Sequence, residues 1–563
     1  MQSGSQCHQS VHACLSLASR SRQAAFCAAL LLPLLTGAAQ GPQVAKPTPL
    51  TYVAPVNTEL GNRLVLKVNG GLVDLLDDRT GALLLRQRLA ETSGAVILGA
   101  DGDTNDTLIV DLSGGPIPLA DGIRYDGGVG GFDTLIVRGG GAEHIAYSQR
   151  NPNDGSIDID GLHIEYTNIE PIIDTAAAAT YTINILASGT DISALDGGAG
   201  QTTVSGTGFE SITFSNKTAV TINAAGGGSN IFTLNNPNPA TGMTTLNLNG
   251  GSGNDSFVVL AAPSGVIVNI DGGGGINSLE VDGIPGTLDN LRYVPTAARA
   301  GKVYDDNFAA QKVDSFAHID TLSLVLQSAD NDGVRIDGTV GNDDFVFTHG
   351  GSAGTGTFTG TMDKNNATGG GPFALIPMSF SGANPAANDL DVNFFVPGGS
   401  DSFTLVAPNN DNSIVVGPGE AGGIGVSLTS TGALLWSRFE LFNLAAVYLQ
   451  GGSANDQFLV MPQNIPIDVN GALPNPPASP GDTIQIDLSG GATGLALTLS
   501  QGVTGYYGSY SFSNRAAVSF SRIEGGSPIF PGPTATSIPT LGYWTLALLA
   551  LAIVLSVPAM RKR

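Results

Sequence analysis

Beyond residue 27 this chain has no cysteine: all three, Cys7, Cys14 and Cys27, lie near the N-terminus. A body without thiols forms neither disulfides nor thiolate metal centres, so its stability must come from packing, hydrogen-bond ladders or bound ions. Basic residues are also scarce, with 24 Lys and Arg against 48 Asp and Glu. Setting aside Arg20 and Arg22, and Arg561, Lys562 and Arg563 at the other end, leaves 19 cations against 48 acids, a net charge near −29. Such a field excludes nucleic acid as a partner and favours divalent cations. Aromatic residues are only 6% of the chain, which leans against a glycan-processing groove paved with aromatic platforms. Long apolar runs are missing between residues 50 and 526, where nearly all of the chain's 77 glycines lie and keep the hydrophobic stretches short. With 42% hydrophobic residues the chain is no disordered acidic tail.

The short runs that are there alternate or saturate with Val, Ile, Leu, Phe and Thr: Thr107 to Leu112, Thr134 to Val137, Thr244 to Leu248, Val266 to Ile270, Phe345 to Phe347 and Thr483 to Leu488. Bounded by Gly, Asp and Asn, they predict strands. Leu83 to Ala90 is the best helical candidate, but it follows Asp77 to Gly81, a hairpin-turn sequence.

Between the strands a turn recurs. Gly250-Gly251-Ser252-Gly253-Asn254-Asp255-Ser256-Phe257-Val258 matches a G-G-x-G-x-D-x-U-x nonapeptide completely. Gly272 to Glu280 keeps the glycines with Asn277 at the Asp place. Gly338 to Val346 keeps Asp343, Gly451 to Leu459 keeps Asp456, and looser copies start at Gly197 and Ala225. The pattern resembles the RTX, or haemolysin-type, repeat, and that resemblance implies calcium held by Asp255 with the turns of Gly251, Gly253 and Asn277, and more weakly by Asp343 and Asp456. Members of that family carry the nonapeptides in tandem, whereas here the starts at 197, 225, 250 and 272 are 28, 25 and 22 residues apart. That spacing suits one full coil of a wider β-solenoid.

A second recurrence sets an aromatic three residues before an apolar-acid pair: Tyr166 with Ile169-Glu170, Phe316 with Ile319-Asp320, Trp436 with Phe439-Glu440, Phe520 with Ile523-Glu524, and Phe209-Glu210 in part. With the Asn-Asp-Thr-Leu strands it is similar to the modules of large bacterial surface proteins. The expectation is an all-β fold of repeated modules, solenoid or β-helix-like or chained β-sandwiches: a linker at 40–50, then modules at 51–190, 191–310, 311–430 and 431–526, and a Pro/Thr/Gly stalk at 527–537.

Both ends read as export signals. Arg20 and Arg22 precede the apolar run Ala24 to Leu35, and small residues near Ala38 and Ala39 offer a signal-peptidase site, so 1–39 is expected to be a signal peptide. At the other end, Ile538-Pro539-Thr540-Leu541, Trp544, an apolar run to Ala559 and Arg561-Lys562-Arg563 resemble the IPTL-CTERM sorting signal of Gram-negative bacteria. The apolar stretch is long enough to span a bilayer of about 30 Å as a helix. The resemblance implies handling by an exosortase-type transpeptidase and a final place at the cell surface, outer membrane or extracellular matrix, after an inner-membrane precursor.

Catalytic motifs are weak. Gly350-Gly351-Ser352-Ala353-Gly354 satisfies G-x-S-x-G but no helix can follow it, and Gly417 to Gly422 fits G-x-G-x-x-G with the same defect. His144, His163, His318 and His349 are scattered. The functional expectation is a structural or adhesion-type surface protein stabilised by calcium, with exopolysaccharide or neighbouring surface proteins as partners. The rival is a β-helix carbohydrate-active enzyme, a lyase or hydrolase.

Overall fold

The apolar runs are strands: Thr107–Asp111, Thr134–Arg138, Thr245–Asn249, Ile267–Asp271, Asp344–His349 and Thr483–Ile486. Alternation fixes their faces, as in Thr245–Asn249, where Leu246 and Leu248 are buried and Thr245, Asn247 and Asn249 look outward. The computed structural model describes residues 46–525 apart from 308–309, 364–371, 385–389, 395–399, 420–421, 432 and 475–479. The signal peptide expected at 1–39, the stalk at 527–537 and the sorting segment at 538–563, with its spanning helix, lie outside the described residues. Among those described, no helix is long and apolar enough to cross a membrane.

The described residues form an all-β body: 43 strands in two sheets of 20 and 23, with three short 3-10 turns and no α-helix. The chain passes from one sheet to the other and back. Lys217–Ala224, Thr245–Asn249 and Ile267–Asp271 lie side by side and parallel in the first sheet. Ile231–Asn235, Ser256–Ala261 and Ser278–Asp282 do so in the second. Phe232 faces Phe257, and Phe257 faces Leu279, so circuits of 25 and 22 residues each add one strand to each sheet. This parallel stacking is consistent with a β-helix-like fold. Inward side chains therefore meet their own kind from coil to coil; the rings of Phe232 and Phe257 stack with centroids 4.8 Å apart.

Some coils contain three antiparallel strands where others have one. In the first sheet these are Gly141–Gln149, Gly155–Ile159 and Leu162–Thr167; then Asn290–Ala297, Ala300–Asp305 and Ala310–Ala317; then Asn412–Pro418, Ile424–Ser430 and Ala433–Phe442. The connectivity obeys one rule. The strand entered first pairs with the following coil and the strand left last pairs with the preceding one, as Gly141–Gln149 does with Ala177–Ile185 and Leu162–Thr167 with Ile123–Asp126. Antiparallel triplets also stand at the two ends of the second sheet, Arg63–Asn69 to Leu83–Arg88 and Ala496–Gly502 to Val518–Ile523.

Several local expectations change. The helical candidate at Leu83 is the strand Leu83–Arg88, closed by a turn in which the Asp77 carboxylate accepts from the Thr80 N–H at 2.7 Å. Gly197 to Ser205 is no coil turn: it joins Asp191–Asp196 to Thr202–Gly206 as a hairpin. The linker expected at 40–50 already contains the start of strand Thr48–Val53. Strand pairing runs across residues 190, 310 and 430.

Candidate functional site

At many corners where the chain turns from the first sheet into the second, a polar side chain precedes the new strand and bonds to its counterpart in the neighbouring coil. The Asn230 N–H donates to Asp255 Oδ1 at 2.9 Å, the Asp255 N–H to Asn277 Oδ1 at 2.8 Å, and the Asn277 N–H to Asp320 Oδ2 at 2.7 Å. The same step links Asn62 to Asp106, Asp106 to Asp133, and Asp343 to Asp401. A second ladder runs along the opposite corner, from Asn412 to Asp456 at 3.0 Å, Asp456 to Asp482 at 2.7 Å and Asp482 to Glu524 at 3.4 Å. Each rung satisfies a main-chain N–H that the corner takes out of the sheet.

The glycine spacing has a steric cause in these corners. A Cβ on Gly250 would lie 2.6 Å from the Asp255 carboxylate, and one on Gly451 2.3 Å from that of Asp456. The side chain folds back over the glycine that follows the previous strand, which is why a glycine stands five residues ahead of Asp255, Asp343 and Asp456. Gly253 allows another close approach, since its Cβ would fall 1.6 Å from the Gly228 carbonyl oxygen; Gly251 has φ +96°. The second sequence recurrence belongs to the same device. Asp320 and Glu524 are rungs, reached through a shorter corner in which His318 and Arg522 take positive φ, while Phe316 and Phe520 fill the core. Glu440 differs: it is buried within the strand Ala433–Phe442.

The structure brings Asp255 and Asn277 together and leaves Asp343 and Asp456 in separate ladders. Asp255 Oδ1 also accepts from Asn230 Nδ2 at 2.9 Å. Asp343 accepts from the Asp363 N–H and the Thr339 hydroxyl, both at 2.9 Å; Asp456 accepts from Asn412 Nδ2 at 2.7 Å and the Gly452 N–H at 2.8 Å. N–H groups repel a cation, whereas calcium needs six to eight oxygens. Among the described residues no three His, Asp or Glu side chains are placed to share a metal ion. Asp255 Oδ2 is buried without a hydrogen-bond partner, one uncommitted oxygen where a calcium shell takes six to eight.

Burial sets the electrostatics. It pushes the Asp255 carboxyl up, against the Asn230 bonds that hold it down. Asp456 rises to about 6, again chiefly through burial. Asp482 reaches about 8, because burial is joined by the charges of Asp456 and Glu524 on either side.

Reading the residues in order missed a pair in the core. Lys217 and Asp174 are both fully buried, Nζ to Oδ1 2.8 Å, with the Tyr147 hydroxyl donating to Asp174 Oδ2 at 3.0 Å and the Tyr181 ring 4.9 Å from the ammonium. Asn216-Lys217-Thr218 looks like a solvated turn, and only strand pairing reveals that Lys217 points inward. The G-x-S-x-G segment is the turn of the hairpin between Asp344–His349 and Gly356–Met362, with no helix after Ser352. Compared with known proteins, the chain matches no family model, no curated protein and no solved structure.

Proposed function

We propose that this chain is an exported structural protein of the cell surface or extracellular matrix, built on a β-helix-like body. In this reading the leader is removed by signal peptidase, and the IPTL-type tail spans the membrane as a helix until an exosortase-type transpeptidase takes it off. The observation that carries the reading is the fate of the acids. Those available for acid–base chemistry in the repeated turns, Asp255, Asp343 and Asp456 among them, are buried and committed to main-chain N–H groups at the corners. A scaffold that spends its carboxylates on fixing backbone is suited to presenting long faces, not to turning over substrate.

The test is intact mass and surface labelling of the native protein. A mature species that begins near Ala39 and lacks Trp544 and Arg563, accessible to a membrane-impermeant reagent, is the expected result. A species keeping both ends and found inside the cell overturns the reading.

A further inference from the structure

One face of the first sheet differs from the acidic remainder. Strand register aligns Thr182, Thr221, Asn247, Asn269 and Ser315 in one outward row, and Asn184, Asn223, Asn249 and Asp271 in a second, which thus ends on a carboxylate paired with His318. The amides are chained with one polarity. Asn223 Nδ2 donates to Asn184 Oδ1 at 2.8 Å and Asn249 Nδ2 to Asn223 Oδ1 at 2.7 Å; in the other row Asn269 Nδ2 donates to Asn247 Oδ1 at 3.0 Å. Each carboxamide has two N–H donors and two acceptor lone pairs, so an amide bonded once to each neighbour, as Asn223 is, keeps a donor and an acceptor in hand, while Asn247 Nδ2 also donates to Thr221 Oγ1 and the Val220 carbonyl at 3.1 and 3.5 Å. Strands lie about 4.8 Å apart and rows about 7 Å apart, which makes a lattice of hydrogen-bonding groups that stays uncharged until Asp271 closes the second row. A shallow depression of about 290 Å³ lies on it, lined by Thr221, Asn247, Asn249, Asn269, Ser315 and the single carboxylate of Asp271 among others.

Charge bounds the lattice on both sides. Towards the N-terminus stand His163, Asp158, Glu165 and Arg150. Towards the C-terminus stand first Asp271 with His318, then Arg292, Arg335, Asp306 and Asp337. The geometry points to a neutral polysaccharide as the occupant of this face. Its hydroxyls donate and accept as the lattice does, its chain repeats along one direction as the rows do, and it carries no charge for the acidic body to repel, as an anionic polymer would.

The site refines the surface reading by naming the polymer class, and rests on that reading only for where the polymer is met. The test is affinity gel electrophoresis of the full chain in nonionic detergent, with hydroxyethylcellulose, dextran or alginate cast in the gel. Retardation by a neutral polymer and not by alginate is expected. Asn247→Ala with Asn269→Ala should weaken it about tenfold, the size expected for two lost neutral hydrogen bonds. Thr182→Val, which touches no rung of the amide chains, should weaken it too and decides the matter if the double variant misfolds by circular dichroism. Thr359→Ala, exposed on the other sheet, should leave it unchanged. No retardation by either neutral polymer, retardation indifferent to the lattice variants, or retardation by alginate alone overturns the inference. A surface-located chain that ignores neutral polymers sinks this site and spares the surface reading; a retarded chain found inside the cell does the reverse.

Discussion

The corner ladder through Asn230, Asp255, Asn277 and Asp320 and the one through Asn412, Asp456, Asp482 and Glu524 share a geometry and differ in charge. In the first, amide and carboxylate alternate, so no carboxylate has another as its immediate neighbour. In the second, three acids follow one another. Burial raises Asp255, but in the acidic ladder the neighbours' charges add to burial and Asp482 reaches about 8. An asparagine in place of the motif aspartate is therefore no decayed copy. It keeps the acceptor that the next coil needs and removes the repulsion that a second carboxylate brings.

Breaking a rung outright has the largest effect. Asp456→Ala strips acceptors from the N–H groups of Asn412 and Gly452, which stay buried. At about 1–3 kcal/mol for each orphaned donor, thermal or denaturant unfolding should show a loss of roughly 2–6 kcal/mol. A loss below the cost of one such bond would mean that the corners open to water.

Importing one ladder's charge into the other comes next. Asn277→Asp sets a carboxylate between Asp255 and Asp320 and turns it towards the carbonyls of Gly274 and His318, which now accept from Asn277 Nδ2 at 3.1 and 2.9 Å. Melting temperature should fall clearly at pH 8 and much less at pH 5, where the new acid takes up a proton. An equal fall at both would show that charge is irrelevant to the alternation.

The native acidic ladder should carry its own pH dependence. An unfolded aspartate titrates near 4, and Asp482 in the folded chain titrates at about 8. Between these values the folded state binds a proton that the unfolded state lacks, so the contribution is fully present below about pH 4 and lost as pH rises through about 8. Melting temperature should decline over that interval, and Asp482→Asn should flatten the decline and raise stability at pH 8 to 9. A flat profile for the native chain would remove the contrast between the ladders.

Two small effects sharpen the comparison. Asp255→Asn retains the oxygen that accepts from Asn230, and its cost should stay within about 1 kcal/mol in urea unfolding. Melting curves in chelator and in millimolar calcium should coincide, since Asp255 Oδ1, Asp343 and Asp456 accept from N–H donors and Asp255 Oδ2 alone offers too few oxygens for a calcium shell; a calcium-dependent rise abolished by Asp255→Ala would support the metal reading.

The strands were legible because alternation is a local property: Thr245–Asn249 shows its buried and exposed faces in five letters. Coil length was legible as well where coils are plain, and the intervals of 25 and 22 residues after Ala225 survive as strand register. Ladder partners were not. Asn277 and Asp320 are separated by 43 residues and Asp343 and Asp401 by 58, because antiparallel strands intervene. The role of the turn acids escaped for a related reason. A glycine-rich turn with an aspartate looks the same whether its carboxylate meets a cation or a neighbouring N–H, and only the stacked coil distinguishes them. Lys217 shows the limit of composition, since a buried cation and a solvated one are spelled alike.

The antiparallel triplets carry a lesson about growth. Each replaces one strand by three, so the number of strands changes by two and the direction of the next coil is unchanged. Its last strand takes up the old neighbour on one side and its first strand the old neighbour on the other, as Ala310–Ala317 and Asn290–Ala297 do with Ile267–Asp271 and Gly333–Asp337. Insertion is thus governed by parity. A gain of two strands disturbs only the interface it splits, whereas a gain of one would reverse the polarity of every strand after it. A lineage built on this rule can vary in length freely while every coil already in place keeps its partners.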